Sequence, residues 1–252
     1  MRIFPLFRTT YLEIKRGKAY PVLFIFVFLL LASSNLFTFF TREEELKIIK
    51  DMGLMAINLF GLLFILFGLS REIPGEIEDK TIYTILTNPL SHADILLANL
   101  LAYLYILLIS FLVMGGIFYG LLYLKGGGLD LLMGKGIILI FLKTVIFSAL
   151  VLFFSIFLTP VLNITFSLLL YAAGHLSNYL SSLADQRSFL GWIVLKGLYT
   201  ILPNFENFNC SDALALGRNV SWGYIAVAGL YSLLYSLAIF LLTCLLFKNR
   251  EV

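Results

Sequence analysis

The chain has 252 residues, of which 60% are hydrophobic and 13% charged, with a formal net charge of +3. Soluble domains are only about 45–50% apolar, so this composition excludes a water-soluble fold, and apolar runs of roughly 20 residues are long enough to cross a bilayer as helices. The few basic residues are scattered, which argues against nucleic-acid binding. The short alternating segments of an outer-membrane barrel are missing. The fold class is therefore all-α and polytopic, with one transmembrane domain over residues 1–252.

Six spans are read, at about 20–40, 52–70, 95–124, 136–159, 161–182 and 222–247. Ahead of the first lies the leader 1–19, in which Arg2, Arg8, Lys15, Arg16 and Lys18 face only Glu13. Lys and Arg near the first span place the N-terminus in the cytoplasm. An even span count then returns the C-terminus, with Lys248 and Arg250, to the same side. Within the leader, "FPLFRTTYLEIKRGKAYP" mixes aromatics with cations. That suits an interfacial helix in the headgroup layer or, equally, a plain topogenic tail. The first span has no small-residue cleavage site and reads as retained.

A short charged outer loop, "TREEELKIIKD", leads into the second span. After it comes a less ordinary stretch, residues 71–94. Pro74 reads as a helix start and Pro89 as a stop. Between them Ile77, Thr81, Ile82, Ile85 and Leu86 share one face at helical spacing. Glu72, Glu76, Glu78, Asp79 and Asp94 outnumber Arg71 and Lys80. An acidic cytoplasmic helix is repelled by the anionic membrane surface and suits a basic protein partner; a merely solvated loop is the plainer alternative.

The third span carries Gly116 and Gly120, a G-x-x-x-G more suited to helix packing than to function. The outer loop "KGGGLDLLMGKG" contains Gly134-Lys135 but is no nucleotide loop, because Leu129 and Gly136 occupy the positions of the first Gly and the hydroxyl residue. Lys143 in the fourth span is read as snorkelling outward to the interface, with contact to an anionic substrate as the lesser alternative. The linker "LTPVLN" makes the fourth and fifth spans a tight hairpin.

Along the fifth span, Asn163, Ser167, Tyr171, Gly174, Asn178 and Ser181 form one polar or small stripe. Such a stripe either lines a cavity or lets helices approach closely, the latter being commoner in membranes. Asn163, Ser167, Tyr171 and Asn178 are the candidate lining residues. His175 lies near the stripe, and two histidines in the whole chain make a metal cluster improbable. In the loop 183–221, "FLGWIVLKGLYTIL" is apolar but too short to span, which predicts an interfacial or re-entrant helix. Trp192, Tyr199 and Trp222 suit the interface. Cys210 and Cys244 fall on opposite sides of the membrane, so no disulfide is expected.

The segment "REIPGEIEDKTIYTILTNPLSHADILLANLLAYL" resembles the one after the second span in membrane permeases of ATP-binding-cassette exporters of the second (ABC-2) type. Glu72 or Glu76, Thr81, Ile85, Leu86, Pro89, Leu90 and Ser91 match that pattern. His92 stands where Arg is common, and Ala98-Asn99 where Gly-Lys is common. The likeness extends over essentially the whole chain, including the basic leader, the six spans, "LPNFENFN" before the last span and the short basic tail.

The resemblance implies a type V exporter-like fold in the inner (cytoplasmic) membrane with both termini inside. It implies that residues 71–94 form a coupling helix for a separate ATPase, with Glu72, Glu76, Glu78, Asp79, Thr81, Ile85, Pro89 and Ser91 as docking residues. This chain would bind no cofactor; ATP and Mg would sit in two ATPase subunits. The other partners implied are a second permease copy or paralogue and membrane lipid, with no nucleic acid and no enzymatic activity of its own. The alternatives are a secondary transporter, disfavoured because no span carries an internal Asp or Glu, and a non-transporting membrane subunit of an ABC complex.

Overall fold

A computed structural model describes residues 3–16, 41–78, 92–127, 131–176, 179, 202–209 and 219–248. The expected first span, the 79–91 part of the coupling loop, the 189–201 part of the re-entrant segment (with Trp192 and Tyr199) and Cys210 lie outside them. The described elements are α1 (Ile3–Arg16), α2 (Arg42–Glu78), α3 (His92–Leu124), α4 (Leu131–Ser155), α5 (Pro160–His175), a one-turn 3-10 helix (Phe205–Phe208) and α6 (Trp222–Lys248). Four helices are long and apolar enough to cross a membrane, over Glu44–Glu72, Ala93–Leu124, Leu131–Ser155 and Trp222–Phe247. The chain is a helical membrane protein.

α2 corrects two readings. The charged stretch 42–51, expected as a loop, is helical and continuous with the span. Its start follows from Thr41-Arg42-Glu43-Glu44, a capping-box sequence. The Thr41 hydroxyl donates to Glu44 Oε2 at 2.7 Å, and the Glu45 amide donates to the Thr41 carbonyl at 2.9 Å. At the other end Pro74 starts nothing: the helix runs through it to Glu78. Proline forfeits one backbone bond there, a loss that long membrane helices tolerate when neighbours support them. The result is a rod of 37 residues, roughly 56 Å long at 1.5 Å per residue.

α3 runs antiparallel to α2, and glycine fixes how close they come. Gly53, Gly61 and Gly68 of α2 face Phe118, Phe111 and Tyr103 of α3, and a methyl at any of these glycines would collide with the ring. The heptad-like spacing on both helices makes three ring-into-glycine contacts along one seam. Lys125 Nζ pairs with Glu45 Oε1 at 2.7 Å at one end, and the Tyr103 hydroxyl donates to Glu72 Oε2 at 2.7 Å near the other. The exit from α3 is a Schellman turn: Gly126 has φ 73°, its amide reaches the Tyr123 carbonyl, and Gly127 reaches that of Leu122.

α1 crosses the first turns of α3. Thr10 Oγ1 donates to Asn99 Oδ1 at 2.9 Å, and Phe7 and Tyr11 pack edge-on against Tyr105. Asn99 thus ties α3 to α1.

α4 is the hub, packed chiefly between α2 and α6 and the most buried of the spans. It begins at Leu131 and ends at Ser155, earlier at both ends than the 136–159 expected. The hairpin into α5 is as short as its sequence suggests, with Thr159 extended and Pro160 in the first turn. α5 itself stops at His175, not 182, after 16 residues. Gly116 and Gly120 meet no described side chain, so the packing expected of that motif is not made among the described residues.

Candidate functional site

Lys143 is the midpoint of α4, with about 18 Å of helix on either side. The sequence reading turned it outward; the structure turns it inward, 5% exposed. No four-carbon stem reaches the interface from that depth. Its Nζ lies 5.6 Å from the centre of the Tyr171 ring.

A second described segment, around residues 203–208, packs against the last turn of α5. Pro203 and the 3-10 turn Phe205–Phe208 pack onto Gly174, where any side chain would strike Phe205 and the Pro203 carbonyl. Phe205 is wholly buried, edge-on to Phe147 and tilted against Tyr171 and His175, with ring centres 6.5, 5.2 and 5.9 Å away. Irregular backbone is tolerated at such depth only inside protein, with its polar groups satisfied. Three bonds serve the turn: Asn204 Oδ1 accepts from the Glu206 amide at 3.1 Å, the Asn204 amide donates to Tyr231 Oη at 3.1 Å, and Tyr224 Oη donates to the Asn207 carbonyl at 2.5 Å.

This turn carries Glu206 to His175, with Oε2 3.6 Å from Nδ1. Its other oxygen accepts from Asn209 Nδ2 at 3.1 Å. No direct ion pair joins Glu206 to Lys143 among the described residues. On the far side of the ring, Tyr171 Oη lies 3.3 Å from Asn58 Nδ2 and 3.4 Å from its Oδ1. Five polar side chains from α2, α4, α5 and the 3-10 turn thus surround an aromatic cage.

Of the expected lining residues, Tyr171 belongs to this cluster. Asn163 and Ser167 are fully buried below it and bonded inward: Asn163 Nδ2 donates to the Val151 carbonyl at 3.1 Å, and Ser167 Oγ donates to Asn163 Oδ1 at 3.0 Å. Asn178 lies outside the described residues. Of the residues expected to dock a partner, Glu72 is held by Tyr103, while Glu76 and Glu78 belong to the last turns of α2. Asp79, Thr81, Ile85, Pro89 and Ser91 lie outside the described residues. Among the described residues no three His, Cys, Asp or Glu side chains gather as metal ligands would.

Glu206 was missed because periodicity finds spans, and this carboxylate reaches the span interior from a loop. Two signals pointed to it: Asn204 as a cap in "LPNFENFN", and a glycine on the facing stripe.

No family model matches the chain, and no curated protein does either.

Proposed function

We propose that the chain is the permease subunit of an ABC-2 type exporter, with six spans, both termini in the cytoplasm, and residues 71–94 seated on a separate ATPase. The motif at Glu72–Ser91 is the basis of the family reading. The observation that carries the mechanism is the unbroken α2 rod. It begins at the Glu45–Lys125 pair, passes the three glycine–ring contacts and delivers the acidic elbow at Glu72–Glu78. A force applied to that elbow enters α2 at the turn around Pro74 and is carried on along the helix beyond it, which the α3 contacts support. The Tyr103–Glu72 bond ties α3 to the same end, so both helices flanking the elbow move together. ATP-driven closure of two ATPase subunits then rocks the spans of two permease copies, within the limit set by how differently ATP binds the two states.

Co-expression with candidate ABC ATPases tests this. Glu76→Lys and Thr81→Ala are expected to lose co-purification and membrane-dependent stimulation of ATP turnover. Unchanged capture and turnover in both variants would sink the docking model.

A second reading, an ion-driven carrier, gains from Glu206 and His175, because the argument against it was the lack of a carboxylate within the spans. Transport that persists without any ATPase and collapses with the proton gradient would favour it.

A further inference from the structure

The chain contains two lysines buried in α4, and they are satisfied very differently. Lys135, 7% exposed near the start of α4, donates to Asn219 Oδ1 at 3.0 Å and to the Val220 carbonyl at 2.6 Å, with its Nζ 5.1 Å from the centre of the Trp222 ring. That is a completed structural lysine, with two oxygen acceptors and an aromatic face. Lys143 is as buried, lies at mid-span and has the aromatic face alone. Among the described residues it has no oxygen acceptor, and the nearby carboxylate of Glu206 is taken up by Asn209 and His175. An ammonium with three donors and no acceptor is costly at this depth.

We propose that Lys143 is the seat of a ligand's anionic group, a phosphate or carboxylate, bound beneath the Tyr171 ring. The aromatic surfaces of Phe147, Tyr171 and Phe205 suit the apolar part adjoining such a group. His175 and Glu206, whose side chains remain 28% and 37% exposed, form the lip through which it enters. Glu206 opposes the anion, so the site is tuned to bind and release rather than to hold. The shared chemistry is an anionic oxygen cluster, which is supplied either by a membrane phospholipid or by a soluble anion. This inference needs only a membrane-embedded chain and not the permease reading, so failure of the ATPase docking test leaves it standing, and the reverse.

The test uses the full chain in uncharged detergent. Phosphatidylglycerol and phosphatidylcholine are compared by native mass spectrometry, and inorganic phosphate is titrated calorimetrically. Phosphatidylglycerol is expected to be retained over phosphatidylcholine. Lys143→Met should weaken binding about tenfold or more, Lys143→Arg should keep it within about threefold, and Glu206→Gln should tighten it by about threefold. The opposite signs at Lys143 and Glu206 separate a charge effect from loss of fold, which weakens binding in either variant. If Lys143→Met does not fold, the Arg and Gln variants still decide. Phosphate binding with the same variant pattern assigns a soluble anion; phosphatidylglycerol binding without phosphate binding assigns lipid. Unchanged binding in Lys143→Met, weaker binding in Glu206→Gln, or no binding of either probe by the unaltered chain overturns the proposal.

Discussion

Asn163 and Tyr171 lie on one stripe of α5 yet are used differently. Asn163 is fully buried, its amide spent on the Val151 carbonyl of α4 and its oxygen on Ser167. Interhelical bonds of this kind contribute about 0.6 kcal/mol, and at most roughly 1.7. Asn163→Ala is therefore expected to lower stability by about 1 kcal/mol, read as an earlier thermal transition in detergent. A residue that lines an open path would instead change transport while leaving the transition in place. Glycine gives a sharper contrast. A methyl at Gly174 strikes the backbone carbonyl of Pro203 and the buried Phe205 ring, whereas one at Gly116 meets no described atom. Overpacking costs about 1–3 kcal/mol. Gly174→Ala should lower the thermal transition and expose residues 203–208 to hydrogen exchange; Gly116→Ala should do neither.

At the scale of elements, legibility followed periodicity. The apolar centres of α2, α3, α4 and α6 and the Pro160 hairpin are readable because each is a local pattern of hydropathy or backbone chemistry. The charged first turns of α2 were read as loop because charge density outweighed the T-x-x-E start signal at Thr41. Pro74 reads as a start because its N–H is missing, yet α2 runs through it to Glu78. The pairing of Gly53, Gly61 and Gly68 with Phe118, Phe111 and Tyr103 was hidden for another reason. The three glycines lie on one helix and the three rings on the other, among further rings and glycines on each, and the match exists only between them. That seam yields a prediction. Gly61→Leu should separate α2 from α3 and abolish stable expression, while Gly61→Ala should cost little in a Phe111→Ala background compared with its cost beside the intact ring. A double-mutant cycle on thermal stability measures the coupling, expected at about 0.5–3 kcal/mol; a value near zero would remove the glycine–ring contact as the organiser of the pair.

Across the whole molecule, the antiparallel layout sorts the described side chains into two ends. Glu45, Lys125, Lys135, Asn219 and Trp222 gather at one, joined by the Glu45–Lys125 pair and the Lys135 contacts. At the other, α1 is bonded to α3 at Asn99, beside the end of α2 and the Tyr103–Glu72 bond. The basic leader and the acidic elbow therefore share an end, and whichever face of the membrane holds one holds both. Single cysteines at Leu124, which is 86% exposed at the end of α3, and at Glu78 resolve the two ends in a background with Cys210→Ser and Cys244→Ser. In intact cells an impermeant maleimide is expected to label Leu124→Cys at once and Glu78→Cys only after lysis. The reverse pattern would put the elbow outside, beyond the reach of any cytoplasmic ATPase, and the permease mechanism would fail while the Lys143 cluster, at mid-span, would be unaffected.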